Sequence, residues 1–175
     1  GVLDDDAVVE HAHSHFTPNL RRLARQGTSG ELHVPTFGGG TIRTEFEMLT
    51  GLSLRYFDNL QFPYLQLSHA TVPSLVRVLN QHGYDTIALH GNDPAFWNRS
   101  AAFKALGFDS FVSQASFPAD APMDGKYMAD SAMTDEILRQ LKDSGPPQFI
   151  FAISIEAHGP YDIEPAHTAE RDAIA

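Results

Sequence analysis

Apolar residues recur along this chain with two spacings, one typical of amphipathic helices and one typical of buried strands. Helical spacing, with a glycine or a Gly-Pro turn after most segments, predicts helices over residues 18–26, 42–50, 71–82, 100–106 and 129–142. Short runs rich in β-branched and aromatic residues predict strands over residues 31–35, 85–90, 108–112 and 148–155. We expect Leu20 and Leu23 to share one helix face, and Leu75, Val76 and Leu79 to form another buried face. Residues 52–68 and 113–127 show neither spacing and are predicted to be loop-rich.

Helix and strand alternate twice, over residues 72–90 and again over residues 129–155. This alternation predicts an α/β fold with a mostly parallel sheet flanked by helices. Ligands of such sheets bind at the carboxyl ends of the strands. His90 ends one predicted strand and His158 follows another by three residues, so both histidines are expected at that edge.

Composition narrows the class of protein. The 175 residues include 12 Lys+Arg and 22 Asp+Glu, a net charge of −10, which argues against a nucleic-acid-binding surface. The absence of cysteine excludes disulfides, thiolate metal sites and a cysteine nucleophile. The densest apolar stretch, residues 149–155, is far shorter than the ~20 residues of a membrane-spanning helix. Because the chain starts at Gly1 without an initiator Met, we expect a processed chain or an excised piece of a longer protein.

Three glycines directly before Thr41 form the first candidate for chemistry. A glycine-rich turn lets backbone N–H groups approach an anion, and a helix starting at Thr41 adds the positive end of its dipole. The Thr41 hydroxyl could then act as a nucleophile if a metal or a base lowers its pKa. On local pattern alone the alternative is that Thr41 is simply the N-cap of the helix.

The segment 90–99 places a histidine, an arginine and the single tryptophan within ten residues. His90 and Arg99 both suit a phosphate ester, and Trp97 could form an apolar wall for a glycerol or lipid portion. The structural alternative is a loop in which Trp97 fills the core and Arg99 pairs with a local acid. His158 fits substrate binding or proton transfer, although a single histidine in a turn is often structural. The alternating histidines 11, 13 and 15 could bind metal but are more simply solvated.

Taken together and in order, these segments resemble the lipoteichoic-acid-synthase-like and phosphoglycerol-transferase branch of the alkaline phosphatase/sulfatase superfamily. The motifs span most of the chain and comprise TPNLRRLA (17–24), GGGTIRTEFEMLTG (38–51), TVPSL (71–75), GYDTIALHGN (83–92), FWNR (96–99), GFD (107–109) and EAHGPY (156–161). The chain is accordingly interpreted as one partial sulfatase-like catalytic domain over residues 1–175. It comprises an arm (1–16), a family-like core (17–161) and a polar tail (162–175).

The resemblance implies a metal-dependent enzyme on the extracytoplasmic face of a bacterial cytoplasmic membrane, attached through segments outside this chain. Such an enzyme transfers glycerol phosphate from phosphatidylglycerol to a glycan or polyol-phosphate acceptor. By motif position Thr41 carries the covalent intermediate and contacts Mn²⁺ or Mg²⁺. His90, Trp97, Arg99 and His158 hold the glycerol phosphate, and Asn92 stands where some relatives have a carboxylate.

Two family elements are not found in the sequence: a carboxylate ending a strand before residue 17, and an Asp-His pair after His158. We therefore expect an internal fragment that binds the metal weakly and is inactive alone. No Ser or Cys lies in a Ser/Cys-x-Pro-x-Arg context, which disfavours sulfatase activity itself. A phosphoethanolamine transferase, a phosphodiesterase and a non-catalytic headgroup- or glycan-binding domain remain alternatives.

Overall fold

The computed structural model describes residues 18–34, 36, 40–67, 71–142 and 144–159, and it divides the chain into two compact units. The first unit comprises residues 1–33 and 162–175, and the second comprises residues 34–161. The division into an arm, a core and a tail stays a prediction. The histidines at 11, 13 and 15 and the polar tail lie outside the described residues.

The first unit contains helix α1 (Pro18–Gln26), as predicted. Pro18 suits the first helical position because its missing N–H has no acceptor there. The helix closes with the Gly27 N–H donating to the Leu23 carbonyl at 3.0 Å. Leu20 and Leu23, the expected apolar face, are both exposed. The strand expected over 31–35 is wrong for the described residues 31–34, because no neighbouring strand pairs with them.

The second unit is built on a parallel sheet of β1 (Asp85–His90), β2 (Ser110–Ser113) and β5 (Gln148–Ile153), in the order β2-β1-β5. The central strand β1 is buried along almost its whole length, which explains the three successive apolar residues 87–89 at its centre. In register, His90 lies between Ser113 and Ile153 at the carboxyl end of the sheet. A short antiparallel hairpin, β3 (Met123–Asp124) and β4 (Tyr127–Met128), lies inside the segment predicted to be loop.

The described residues of this unit form five α-helices: α2 (Thr41–Thr50), α3 (Pro63–Gln66), α4 (Leu75–Gln81), α5 (Arg99–Leu106) and α6 (Asp130–Gln140). Helix α4 begins later than predicted because Ser74 caps it, accepting from the Arg77 N–H at 3.1 Å. The predicted buried face of α4 is therefore partly wrong: Val76 is buried, whereas Leu75 is exposed. Residues 52–68, expected to be irregular, contain a 3₁₀ turn (Leu54–Tyr56) as well as α3.

The core has one cluster on each face of the sheet. Ala88 belongs to the cluster that includes Phe46 of α2 and Phe103 of α5, whereas Ile87 and Leu89 belong to the cluster with Met133 of α6. Alternate residues of a strand point to opposite faces, so the two clusters cover the two sides of β1. The predicted α/β fold with helices on a parallel sheet is confirmed. None of the helices among the described residues is long and apolar enough to cross a membrane.

Candidate active site

A small cavity of about 50 Å³ lies at the carboxyl ends of β1 and β5. The structure brings all five sequence-predicted site residues to this one place, although they come from four separate segments of the chain. The cavity is lined by Thr41, His90, Phe96, Trp97, Arg99, Ile153, Ser154, Ile155 and His158.

Thr41 is the first residue of α2, and it is not the cap of that helix. Gly40 occupies the N-cap position, and no side chain caps the helix end. A Cβ at Gly40 would lie 2.1 Å from the Thr36 Cγ2 atom, so the close approach of the chain to Thr36 requires a glycine there. The Thr41 side chain is exposed at the cavity, and its hydroxyl has no hydrogen-bond partner among the described residues. The capping alternative for Thr41 is therefore wrong.

His90 is buried, and one of its ring nitrogens is fixed by the sheet. Its Nδ1 lies 2.9 Å from the Ile153 carbonyl oxygen, which can only accept, so Nδ1 carries the proton. Among the residues that the structure describes, the buried Nε2 atom has no hydrogen-bond partner. The pKa of His90 is lowered to about 4, mainly by burial and to a lesser extent by the nearby Arg99 and His158, against the opposing effect of the Ile153 carbonyl. At neutral pH, His90 therefore presents an Nε2 lone pair to the cavity.

Arg99 opens helix α5 and is only 2% exposed. Its Nη2 donates to Oε1 of Glu45 at 2.5 Å. The alternative that Arg99 pairs with an acid is thus true, but the acid is 54 residues away in sequence rather than local. The Arg99 Nε and Nη1 groups are buried and have no hydrogen-bond partner within the described part of the chain. A buried guanidinium with two unpaired donors at a cavity can accept an anion.

Trp97 has a backbone conformation that bulky residues rarely adopt. Its φ is 55°, and Asn98 follows with a φ of 57°, both in the left-handed region. Such residues cost on the order of 1–3 kcal/mol each and persist where the surroundings over-determine them. Trp97 stacks on Phe62 with ring centroids 5.2 Å apart, and the Asn98 Nδ2 donates to the Tyr64 carbonyl at 2.9 Å. The half-buried Trp97 therefore lines the cavity and also packs against the core cluster that contains Phe103.

His158 lies in the turn after β5. The His158 N–H donates to the Ile155 carbonyl at 2.9 Å, which holds this turn. The Nδ1 atom of His158 donates to the Gly159 carbonyl at 2.6 Å. Tyr127 of β4 donates to the same carbonyl at 3.1 Å, and its ring meets the His158 ring edge to face. The sequence contained no signal for Tyr127, because it falls in a segment predicted to be loop.

Two other positions complete the description of the site. The sequence analysis included Glu45 only as part of a motif and did not predict a role for it. An acidic residue on the buried face of a predicted helix could have indicated a buried cationic partner. Asn92 does not line the cavity, and its Oδ1 accepts from the Asp93 N–H at 2.8 Å within a turn.

A metal site is not assembled by the residues that the structure describes. Among them, no three His, Asp or Glu side chains gather so that they could hold a metal ion. The hydroxyl of Thr41 is a poor ligand without carboxylates around it. These residues do not fit the metal that the resemblance implies, so we derive no catalytic step through one.

Comparison with known proteins decides the family. A model of the Sulfatase family matches residues 3–173. The chain belongs to the Sulfatase family. This confirms the resemblance drawn from the motifs, while the lack of cysteine and of a Ser-x-Pro-x-Arg context still disfavours sulfatase activity.

Several members of the wider group are similar to this Sulfatase-family chain. A Rhizobium meliloti protein, named provisionally for cyclic beta-1,2-glucan modification, is 38% identical over 147 residues, which is 84% of this chain and 23% of that protein. The structure of the lipoteichoic acid synthase LtaP from Listeria monocytogenes is 26% identical, with a TM-score of 0.61, and the match covers 73% of this chain and 31% of that one. The phosphoglycerol transferase GacH from Streptococcus pyogenes, solved with sn-glycerol-1-phosphate, is 24% identical with a TM-score of 0.70 over 83% of this chain and 39% of that one. The present chain thus spans between about a quarter and two fifths of these proteins.

Proposed function

We propose that the protein carrying this sequence transfers glycerol phosphate from a phosphatidylglycerol-type lipid to a glycan or polyol-phosphate acceptor. The observation that carries the proposal is that Thr41, His90 and Arg99 line one cavity, while His90 Nε2, Arg99 Nε and Arg99 Nη1 are buried with no hydrogen-bond partner among the described residues. A nucleophile, a fixed cation and a neutral acceptor in one small cavity suit a phosphodiester with a hydroxylated headgroup. The similarity to lipoteichoic acid synthases and a phosphoglycerol transferase supports the same class of reaction.

Phosphate recognition is assigned to Arg99. Its two unpaired N–H donors suit two oxygens of one phosphoryl group, and bidentate contacts of this kind are strong and directional. Negative charge grows on those oxygens in the transition state of phosphoryl transfer, so the same contacts stabilise that state.

Headgroup recognition is assigned to the two histidines and Trp97. The Nε2 atom of His90 is an acceptor, so it suits a hydroxyl group of glycerol, and His158 lines the same cavity. Trp97 supplies an apolar wall for the carbon skeleton. None of the described residues lining the cavity is a carboxylate, and Arg99 is a cation. A positively charged ethanolamine headgroup lacks an anionic partner there, which favours glycerol over the phosphoethanolamine alternative.

The chemistry proposed for Thr41 is a double displacement. In the first step its oxygen forms a bond to phosphorus, the bond from phosphorus to the diacylglycerol oxygen breaks, and the proton ends on that oxygen. In the second step an acceptor hydroxyl attacks the phosphothreonine, and Thr41 recovers its proton. The described residues supply at most the Thr41 hydroxyl to the Mn²⁺ or Mg²⁺ that the resemblance implies, so no step above is routed through a metal. If the full-length protein provided the remaining ligands, such an ion would lower the pKa of that hydroxyl.

The cellular setting follows from the same comparison. We propose that the catalytic domain works on the extracytoplasmic face of the bacterial cytoplasmic membrane, where its lipid donor is accessible, and that other parts of the full-length protein hold it there. Nucleic acid is not a proposed partner, because the chain has a net charge of −10.

The proposal is tested by replacing Thr41 in the full-length protein. Release of diacylglycerol from labelled phosphatidylglycerol is expected to fall by at least about 1,000-fold in Thr41→Ala, because the attacking oxygen is removed. Mass spectrometry should find glycerol phosphate on Thr41 of the wild type when the acceptor is omitted.

Thr50→Ala is the matched control, since Thr50 lies at the other end of α2 and bonds only locally, donating to the Phe46 carbonyl at 2.6 Å and accepting from the Leu52 N–H. Release that persists in Thr41→Ala would contradict the covalent mechanism. Release from phosphatidylethanolamine but not from phosphatidylglycerol would support the alternative donor.

A further inference from the structure

Glu45 lies on helix α2 four residues after Thr41, one helical turn further along the same side. Its side chain is buried, and its Oε1 accepts from Nη2 of Arg99, the first residue of α5. A single ion pair therefore joins the helix that begins at the proposed nucleophile to the helix that begins at the proposed phosphate-binding guanidinium. The cavity itself is not lined by Glu45.

The surroundings leave the Glu45 carboxylate little freedom to move. Both partners of the pair are at most 5% exposed. Burial raises the pKa of Glu45, while the Arg99 guanidinium acts in the opposite direction. The buried Tyr64 hydroxyl lies beside Glu45, and burial raises its pKa well above the ordinary value, so it stays a neutral phenol.

Because the guanidinium of Arg99 is planar and rigid, its ion pair with Glu45 determines how the whole group is oriented. Its five donors lie in one rigid plane, so holding Nη2 determines where Nε and Nη1 point. These two nitrogen atoms are the ones that have no hydrogen-bond partner among the described residues. An ion pair that only stabilised the fold would leave these two buried donors unsatisfied, which costs free energy of folding.

We infer that Glu45 is a positioning residue that holds the Arg99 guanidinium so that Nε and Nη1 face the phosphoryl group. The inference rests on the proposed function, and it names a residue that acts through Arg99 rather than on the substrate. Because Glu45 and Thr41 share one helix, the same contact sets the placement of the phosphate relative to the attacking hydroxyl.

Two variants of Glu45 separate orientation from charge. Glu45→Gln keeps an acceptor oxygen in place but removes the charge, whereas Glu45→Asp keeps the charge but withdraws it by one methylene. With the full-length protein, the affinity for sn-glycerol-1-phosphate is measured by calorimetry. We expect binding to weaken about threefold in E45Q and about tenfold in E45D, the effect of one misplaced charge-assisted hydrogen bond.

Glu136→Asp is the matched control, because Glu136 is also buried and paired with an arginine but lies away from the cavity. We expect it to bind sn-glycerol-1-phosphate as the wild type does. In the Arg99→Gln background, E45D should weaken binding by less than about twofold, because Glu45 acts only through Arg99. A general structural defect would instead weaken binding equally in both backgrounds.

The outcomes distinguish the two proposals. If the wild type does not bind sn-glycerol-1-phosphate, the proposed function fails and the inference fails with it. If the wild type binds, tighter binding in E45Q or wild-type affinity in E45D overturns the inference alone, because charge and not orientation then matters. Circular dichroism checks that each variant folds. If E45D does not fold, Arg99→Lys replaces it as the test, because lysine keeps the positive charge but lacks the planar set of guanidinium donors. The inference then requires Arg99→Lys to bind about tenfold more weakly, with less than about twofold added by E45Q.

Discussion

Two glutamates of the second unit are buried to nearly the same degree, and each is paired with an arginine, yet their surroundings differ. Glu136 of α6 is satisfied at both oxygens by its own helix, since Arg139 donates to Oε2 and Gln140 donates to Oε1 at 2.6 Å. Arg139 remains half exposed. Glu45, in contrast, forms its ion pair with Arg99, which is itself buried. Its second carboxylate oxygen, Oε2, has no hydrogen-bond partner among the described residues.

The contrast separates a structural ion pair from one that faces a site. Buried polar atoms in folded proteins are nearly always hydrogen-bonded, so unsatisfied ones require an explanation. The Glu136 pair leaves no such atom, whereas the Glu45 pair leaves a carboxylate oxygen and two guanidinium nitrogens. The two nitrogens belong to Arg99, which lines the cavity together with Thr41, His90 and His158, whereas Glu45 does not line the cavity.

The largest expected effect comes from removing the arginine of each pair. Arg99→Ala leaves the Glu45 carboxylate buried without its cation and is expected to lower the free energy of unfolding by about 3–5 kcal/mol. Arg139→Ala removes a half-exposed partner, so a loss below about 1 kcal/mol is expected. Urea denaturation followed by circular dichroism measures both. Similar losses in the two variants would contradict the distinction between the pairs.

An intermediate effect is expected from pH, through His90 of the cavity. Burial depresses the pKa of His90 to about 4, below its ordinary value of 6.5. Between these values the unfolded chain binds a proton that the folded chain does not, so stability is full above pH 6.5 and declines as pH falls toward 4. The decline attributable to His90 is about 3 kcal/mol.

Urea denaturation at pH 7 and pH 4.5 checks this contribution. His90→Gln should flatten the loss of stability over that interval. An identical pH dependence in wild type and His90→Gln would show that His90 is not the group responsible.

The smallest expected effect concerns the support of His158. Tyr127→Phe removes the hydrogen bond to the Gly159 carbonyl and should lower the free energy of unfolding by about 1 kcal/mol. Because the ring contact with His158 remains, we expect turnover of phosphatidylglycerol by the full-length protein to fall only about threefold. A loss comparable to that of Thr41→Ala would instead place Tyr127 in direct contact with the substrate.

Local sequence patterns predicted the elements that depend on local chemistry. The strand predicted over residues 85–90 matches the structure, because its three successive apolar residues favour a buried strand. The helix predicted from residue 42 to Thr50 also matches closely, because Gly51 is a clear signal for the end of a helix. The start of α4 was missed because the Ser74 cap depends on the Leu106 carbonyl, 32 residues away. The hairpin over residues 123–128 was missed because two-residue strands have no periodicity to detect.

The residue types, their order and the motifs were enough to determine the family and the five candidate residues Thr41, His90, Trp97, Arg99 and His158. Only the tertiary structure decided that these residues share one cavity, that Gly40 and not Thr41 caps α2, and which atoms remain available. Short sequence motifs were sufficient to indicate the family, because the residue types and spacings within each motif depend on neighbouring residues in the chain. Pairs such as Glu45 with Arg99, and Tyr127 with the turn at His158, depend on packing between segments 54 and about 30 residues apart. Sequence spacing does not encode such contacts, because they form only when the sheet and its helices pack together.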